Sequence, residues 1–213
     1  MKVLIGTPIH VNKDYSMERW LKSVSKLEYP ADLLMVDNSP GTDYVKKVKT
    51  YCAKYGVKYY EIEHVESDQR KSLKARDLRI EKGQEIIRQR LLAKDYDAWF
   101  SWESDVILPP NALDELVKIM KVGNFMIVAH NCWYRWSPNT GTADFEITLI
   151  SRKCLEKYGS LLAWIRRADY PDMSKSMQRG SDESFFKNRV LRNKDSTYAE
   201  AYNVIKPIYH LDR

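Results

Sequence analysis

The amino-acid sequence predicts an α/β fold, in which a parallel sheet is flanked by helices. Short apolar runs typical of buried strands alternate with segments whose apolar residues recur at helical spacing. The chain has 213 residues, which is long enough for one sizeable core and short for two domains that each have a full core. It contains no internal repeat and no low-complexity linker, so residues 1–213 are predicted to form a single domain.

The first half of the chain has a βαβαβ pattern. The predicted elements are strands over residues 2–7, 33–36 and 57–62, and helices over residues 20–27 and 45–55. Pro8 is expected to end the first strand and Gly56 the second helix. Strands that alternate with helices in this way form a parallel sheet with right-handed crossovers.

The second half begins with a polar stretch over residues 63–82, which is predicted to be a ligand-binding loop. The elements predicted after it are helices over residues 86–92, 110–120, 152–158 and about 182–191, and strands over residues 98–102, 125–129 and 146–150. A loop over residues 131–144 carries three aromatic side chains, and an extended segment ends at His210.

Two carboxylates, Glu103 and Asp105, follow the apolar run of residues 98–102. A buried strand that ends in acidic residues directs them past the edge of the sheet, where α/β proteins bind their ligands. A spacing of one residue lets one carboxylate hold a hard divalent cation while the other reaches a ribose or a metal-bound water. The alternative is a solvated turn. The apolar strand before the pair and the proline-led helix after it favour the metal site.

Thr7 and Asp37 end the first and second predicted strands at the same edge of the sheet. Together with Asp105 they are expected to converge on one crevice. Asp37 also has a simpler interpretation, a side-chain turn with Ser39, and the two interpretations remain open.

Five further residues are candidates for catalysis or binding. Asp182 and Glu183 are either acidic residues of a first helical turn or a general base within reach of a substrate hydroxyl. His210 is either a packed or surface histidine or a metal ligand. Trp133 and Trp136 are either core residues or rings that stack on the apolar face of a sugar.

The net charge of +6 suits a polyanionic ligand, namely a nucleotide diphosphate, a nucleic-acid backbone or an anionic membrane surface. Three widely separated cysteines argue against a disulfide framework and against a zinc cluster, which favours a reducing cytoplasm. The apolar stretch at the N-terminus is too short for a signal peptide or a transmembrane helix, so any membrane contact is expected to be peripheral.

Several of these segments resemble the nucleotide-diphospho-sugar transferases of the GT-A fold, in particular the inverting glycosyltransferases of the family 2 type. The resemblance rests on the strands of residues 3–8 and 35–39 and on the Asp-x-Asp-like segment of residues 96–110. It implies a single, Rossmann-like GT-A domain with a mixed, mostly parallel sheet flanked by helices.

The resemblance also implies roles for the residues at the strand ends. Thr7, Pro8 and Asp37 would hold the nucleobase of the donor. Asp105 would bind the Mn²⁺ or Mg²⁺ that bridges the diphosphate, and Glu103 would lie near the ribose or the metal. Glu103 stands where the family has its first Asp, and its longer side chain leaves both positions open.

The segment of residues 180–186 resembles the family's Gly-Glu-Asp-x-Asp-Phe segment, whose central Asp is the catalytic base. This implies that Asp182 is the base. Ser181 replaces the family's Glu, so Glu183 remains a second candidate. A histidine after the last strand commonly completes the metal site in this fold, and His210 has that position.

The sequence therefore predicts a cytoplasmic, metal-dependent glycosyltransferase that inverts the anomeric centre. The expected donor is a UDP- or GDP-sugar, and the acceptor, held by Trp133 and Trp136, is a glycan, a protein or a lipid. One alternative is a nucleotidyltransferase of the same fold, although no glycine-rich loop with Arg and Lys follows Thr7. The other is a basic module that binds nucleic acid or anionic lipid, because basic residues crowd positions 70–94; nucleic acid is the less favoured partner.

Overall fold

The computed structural model describes residues 1–71, 73–130, 146–159, 186, 190, 193–201 and 203–211. The strands in these ranges are β1 (Val3–Ile9), β2 (Ala31–Asp37), β3 (Tyr60–His64), β4 (Ala98–Trp102), β5 (Val106–Ile107), β6 (Ile127–His130), β7 (Ile147–Ser151), β8 (Tyr198–Ala201) and β9 (Tyr209–His210). The helices are α1 (Asp14–Val24), α2 (Asp43–Tyr55), α3 (Leu73–Ala93), α4 (Ala112–Gly123) and α5 (Arg152–Tyr158). A short 3₁₀ turn, Val11–Lys13, connects β1 to α1.

The main sheet has the strand order β3-β2-β1-β4-β7-β6-β8. β1 pairs in parallel with β2 and β4, and β2 pairs in parallel with β3. β7 runs antiparallel to β4 and β6, whereas β6 and β8 are parallel. A second, small sheet joins β5 to β9 in antiparallel orientation. The predicted fold class, a mixed and mostly parallel sheet flanked by helices, is confirmed.

Alternating residues of β1 pack on opposite faces of the sheet. Val3 and Ile5 belong to the core that includes Trp20 and is covered by α1, α2 and α4. Leu4 belongs to the opposite core, where Ile87 packs from α3 and α5 completes the layer. Because both faces of the central strands are buried, their sequences are almost continuously apolar.

The predicted helix stop at Gly56 is confirmed. α2 ends at Tyr55, and Gly56 has a φ of +65°, a left-handed conformation that glycine adopts without a Cβ penalty. Val57 still belongs to this cap, because it donates its N–H to the Cys52 carbonyl at 3.0 Å. β3 consequently begins at Tyr60 and not at residue 57.

The loop predicted over residues 63–82 is shorter in the structure, because α3 already begins at Leu73. Glu81, Gln84 and Glu85 are buried on this helix and interrupt the apolar spacing of residues 73–85, the part that precedes the predicted helix. α3 is also too polar to cross a bilayer despite its 21 residues, and no other helix in the described part of the chain is long and apolar enough to do so.

β1 continues through Pro8 to Ile9, two residues beyond its predicted end. β4 pairs with β1 only as far as Gly6, which lies opposite Ser101, whereas β2 pairs with β1 up to Ile9. Pro8 therefore lies beyond the part of β1 that is paired on both sides, where a residue without an N–H is tolerated.

Gly6 permits the close approach of α3 and β4 to β1. A Cβ on Gly6 would lie 2.3 Å from Ile87 Cγ2 and 2.7 Å from Trp99 Nε1. The Trp99 ring is fixed in place, because Nε1 donates to the Gly6 carbonyl at 2.9 Å. We expect Gly6→Ala to lower the free energy of unfolding by about 1–3 kcal/mol, the usual cost of overpacking a core. Urea denaturation measures this loss.

The control for this prediction is the same substitution in an Ile87→Ala background. There one of the two clashing groups is gone, so Gly6→Ala should cost less than it does in the wild type. An equal cost in both backgrounds would show that Ile87 does not limit the space at this position.

Candidate functional site

A cavity of about 260 Å³ opens at the carboxyl ends of β1 and β4. Its walls are formed by the end of β1 and the following turn, by the segment after β4, and by the first half of α3. Thr7, Pro8 and Glu103 line it, so the fold brings these three predicted site residues together.

Lys13 joins the two carboxylates beside this cavity. Its Nζ donates to Glu103 Oε2 at 2.7 Å and to Asp105 Oδ1 at 3.0 Å. The Tyr15 hydroxyl donates to Asp105 Oδ2 at 3.1 Å. The Asp105 side chain is 6% exposed and that of Glu103 34%. Asp105 is thus the buried member of the pair, and Lys13 is the cation that compensates its charge.

The contacts between Lys13 and the two carboxylates favour the charged forms of Lys13 and Asp105. Burial would lower the pKa of Lys13, but the charges of Glu103 and Asp105 and their hydrogen bonds raise this pKa well above its ordinary value. Burial likewise opposes ionisation of Asp105, yet Lys13, assisted by His210, holds the pKa of Asp105 below its usual range. At neutral pH Lys13 is therefore an ammonium and Asp105 a carboxylate.

β9 brings His210 beside Asp105. His210 lies opposite Val106 in the β5–β9 pair, and Leu211 donates its backbone N–H to the Asp105 carbonyl at 2.7 Å. His210 Nε2 is 3.9 Å from Glu146 Oε1. The fold therefore joins two residues that are far apart in the sequence, as the resemblance implies.

The chemistry of these side chains suits a divalent cation. Carboxylate oxygens of Glu103 and Asp105 are the ligands that Mn²⁺ and Mg²⁺ prefer, and His210 would add an imidazole nitrogen. However, Lys13 Nζ lies between the two carboxylates. The described residues also include no group of three or more His, Cys, Asp or Glu side chains arranged to hold a metal ion. The residue types of the donor set therefore suit the ion, but binding would require the ammonium to move aside and the donor side chains to draw together.

Asp37 does not line the cavity, and its side chain is fully buried. Oδ1 accepts hydrogen bonds from Ser39 N at 3.1 Å and from Ser39 Oγ at 2.6 Å, while Oδ2 is 2.8 Å from His64 Nδ1. The side-chain turn with Ser39, one of the two interpretations of this residue, is therefore present. The next residue, Asn38, lines the cavity instead. A contact between Asp37 and a nucleobase stays a prediction.

The sequence did not single out several polar residues at the cavity. Ser104 lines it, is 1% exposed, and its Oγ has no hydrogen-bond partner among the described residues. Lys13 and Tyr15 form a Lys-x-Tyr pattern just after β1. That pattern becomes informative once this strand end is known to face the acidic pair.

α3 contributes two arginines to the cavity wall. Arg76 and Arg79 both line the cavity, and Arg79 also donates to the Asp68 carbonyl at 2.5 Å. Two other basic residues of the predicted patch, Arg88 and Arg90, instead form ion pairs with glutamates of α3 and β3. The positive charge near the cavity therefore comes from part of the patch and suits an anionic ligand.

The remaining candidates lie outside the described residues. These are Asp182 and Glu183, proposed for catalysis, and Trp133 and Trp136, proposed for the acceptor. Phe186, which follows Asp182 and Glu183 closely in the sequence, is fully buried on the face of the sheet that α3 and α5 cover.

No family model and no curated protein matches this sequence. Solved structures do match. S. aureus TarS aligns with 95% of the chain at 12% identity and a TM-score of 0.65, and a shorter form of TarS was solved in complex with UDP-GlcNAc. Mannosyltransferase PcManGT from Pyrobaculum calidifontis, in complex with GDP-Man and Mn²⁺, aligns with 95% at 14% identity and a TM-score of 0.67. The glycosyltransferase GlyE of Streptococcus pneumoniae TIGR4 aligns with 94% at 13% identity and a TM-score of 0.54.

The chain spans 35% of TarS, 55% of the mannosyltransferase and 44% of GlyE. At identities this low, the likeness concerns the fold. The chain therefore has a GT-A-like α/β fold.

The contact between Asp37 and His64 predicts a pH dependence of stability. Hydrogen bonds from Asp37, and secondarily from Glu66, raise the pKa of His64 above its ordinary value of 6.5. The folded state then binds this proton more tightly than the unfolded state does. The stabilisation is fully present below the unfolded-state pKa and is lost as the pH rises through the folded-state pKa.

We therefore expect His64→Gln to reduce stability most in the acidic range, with a difference from the wild type that shrinks as the pH rises. Urea denaturation of both proteins between about pH 5.5 and about pH 8.5 measures this. A difference that is constant over this range would contradict the assigned role of the Asp37–His64 contact.

Proposed function

We propose that this chain is a glycosyltransferase that moves a sugar from a nucleotide-diphosphate donor to an acceptor hydroxyl with the help of Mn²⁺ or Mg²⁺. The observation that carries the proposal is the pair Glu103 and Asp105, which lies beside a cavity at the carboxyl ends of β1 and β4. In an α/β sheet this edge is where ligands bind. Proteins with the same fold have been solved with GDP-Man and Mn²⁺ and with UDP-GlcNAc, so a GDP- or UDP-sugar is the proposed donor.

The donor would lie along the cavity. Thr7 and Pro8, with Asn38 beside them, would contact the nucleobase. Asp37 would help to hold the nucleobase by fixing the turn that contains Asn38. Arg76 and Arg79 offer guanidinium groups to the anionic part of the donor, since such groups bind phosphate oxygens with paired hydrogen bonds.

The metal would be held by Asp105, Glu103 and His210. When bound, the ion would neutralise the negative charge that grows on the departing nucleotide diphosphate. Lys13, assisted by His210, keeps the pKa of Asp105 below its usual range despite burial, so Asp105 is a charged carboxylate at neutral pH, the form that binds a metal.

The acceptor side of the proposal rests on the sequence. Asp182 would take the proton from the acceptor hydroxyl while that oxygen attacks the anomeric carbon and the bond to the diphosphate oxygen breaks on the opposite face. This single displacement inverts the anomeric centre. Glu183 is the second candidate for the base, and Trp133 and Trp136 would stack on the acceptor, which is a glycan, a protein or a lipid.

We also propose that the protein works in the cytoplasm, where contact with a membrane would be peripheral. Cys52 and Cys154 are free thiols and both are buried, which is compatible with a reducing compartment.

Donor binding tests the function directly. Thermal unfolding is measured with UDP-, GDP-, CMP- and dTDP-linked species, with and without Mn²⁺, because a ligand that binds the folded state raises the melting temperature. We expect a UDP or GDP species to stabilise the protein when Mn²⁺ is present. Asp105→Ala should weaken this binding at least about tenfold, as losses at a metal site commonly do.

The matched control is Asp114→Ala, which removes an acidic residue of α4 that pairs with Lys118 away from the site. It should leave donor binding unchanged. If Asp105→Ala bound the nucleotide diphosphate and Mn²⁺ as tightly as the wild type, the acidic pair would not be the donor site.

The base is tested with two isosteric amides. Asp182→Asn should lower turnover by about 10²–10⁴-fold, the usual contribution of a general base, while metal-dependent donor binding stays intact. Glu183→Gln should retain most of the turnover, because it changes only the neighbouring carboxylate and leaves the proposed base, Asp182, in place. Transfer to the acceptor and donor affinity are measured for each variant.

The reverse result, an inactive Glu183→Gln and an active Asp182→Asn, would assign the base to Glu183. Full activity in both variants would exclude the inverting mechanism proposed here. A residue that merely favours the first turn of a helix would instead lower the melting temperature, with a proportionate loss of activity.

A further inference from the structure

The Lys13 ammonium occupies the position that a cation shared by Glu103 and Asp105 would take. Its Nζ is 2.7 Å from Glu103 Oε2 and 3.0 Å from Asp105 Oδ1. A divalent ion held between the two carboxylates would bind their oxygens at about 2.0–2.6 Å, in the space that the ammonium now occupies. The ion and the ammonium would therefore compete for this place, because like charges so close together repel each other strongly.

Lys13 is held in a way that fixes its backbone and leaves its ammonium able to move. Its N–H donates to the His10 carbonyl at 2.8 Å, and its carbonyl accepts a hydrogen bond from Ser16 Oγ at 2.8 Å. The side chain, by contrast, is 36% exposed. A lysine has a flexible four-carbon stem, so the ammonium can leave the carboxylates without a change in the turn.

We propose that Lys13 is a built-in counter-ion that competes with the divalent metal for Glu103 and Asp105, and that the donor diphosphate relieves this competition. Without the donor, the ammonium offsets part of the negative charge of Glu103 and Asp105 and weakens metal binding. When the donor is bound, its phosphate oxygens offer the ammonium new anionic partners, and the carboxylates are released to the metal. The proposal rests on the proposed function: its first half needs only the metal site, and its second half also needs the donor.

Lys13 is thus a positioning residue that couples the two ligands. The ammonium opposes the metal, with which it competes for the carboxylates, and assists the donor, whose phosphate oxygens it binds. Each ligand should therefore bind more tightly when the other is present. Tyr15, which donates to the other oxygen of Asp105, keeps that carboxylate oriented whichever cation is present.

The test measures Mn²⁺ binding to the complete chain in the absence of nucleotide, by electron paramagnetic resonance of free Mn²⁺ and by thermal unfolding. We expect weak binding by the wild type and binding at least about tenfold tighter by Lys13→Met, since the competing charge is gone. Mn²⁺ should also raise the melting temperature of Lys13→Met more than that of the wild type, because the metal then supplies the missing counter-charge.

The matched control is Lys118→Met. Lys118 also bonds two carboxylates, Asp114 at 2.7 Å and Glu115 at 3.0 Å, but on the exposed surface of α4. Lys118→Met changes the net charge by the same amount as Lys13→Met and should bind Mn²⁺ as the wild type does. The double variant Lys13→Met with Asp105→Asn should lose the gained affinity, which would place the ion at the acidic pair.

Equal Mn²⁺ affinity in the wild type and in Lys13→Met would overturn the proposal, and so would tight binding of Mn²⁺ by the wild type without nucleotide. If Lys13→Met does not fold, Lys13→Gln carries the same test, because it removes the charge and keeps an N–H donor for the carboxylates. These measurements need no donor, so they stay informative even if no nucleotide sugar binds. A failure of donor binding alone would contradict the proposed function and leave the competition between Lys13 and Mn²⁺ standing.

Discussion

The edge of the sheet that carries the site depends on the buried carboxylate of Asp37. A charge that is fully removed from water is costly unless hydrogen bonds compensate it. Here both oxygens are engaged, one by Ser39 and the other by His64. Ser39 Oγ in turn accepts the N–H of Val11 at 2.8 Å. The segments that follow β1 and β2 are thereby tied to the end of β3, and the wall of the cavity is fixed before any ligand arrives.

The same physical chemistry has a different outcome at Asp105. Both aspartates are buried, Asp37 as the last residue of β2 and Asp105 in the turn between β4 and β5, and both are compensated by neighbouring groups. The partners of Asp37 are a short serine and a histidine, which have little freedom to move. The main partner of Asp105 is a lysine, whose ammonium can exchange with another cation. Asp37 is thus suited to a permanent structural role and Asp105 to a role in binding.

The sequence predicted the elements whose signals are local. The apolar runs of β1, β2 and β4 and the cap at Gly56 follow from neighbouring residues, so these elements were recognised with errors of a few residues at their ends. Residues 73–85 of α3 could not be predicted as helix because Glu81, Gln84 and Glu85 are buried and interrupt the apolar spacing.

Contacts between distant residues could not be predicted from local patterns. The acidic pair was identified from the strand before it, yet its contact with Lys13 spans 90 residues and leaves no trace in spacing or composition. The position of His210 came from the resemblance to a family, and the pairing of β5 with β9 supplies its physical basis. Roles for Asp182, Trp133 and Trp136 stay predictions from the sequence.

The pairing of β5 with β9 also has a consequence for the order in which the protein becomes functional. Asp105 receives a backbone hydrogen bond from Leu211, which directly follows β9, and His210 lies in β9 itself. A ribosome-bound chain can form the β1, β2 and β4 ladder early, but the acidic pair lacks these two neighbours until residue 211 has left the exit tunnel. Completion of the site therefore requires a pairing between strands that are far apart in the sequence. A nascent or prematurely terminated chain would possess the sheet and the cavity while its acidic pair still lacked these neighbours.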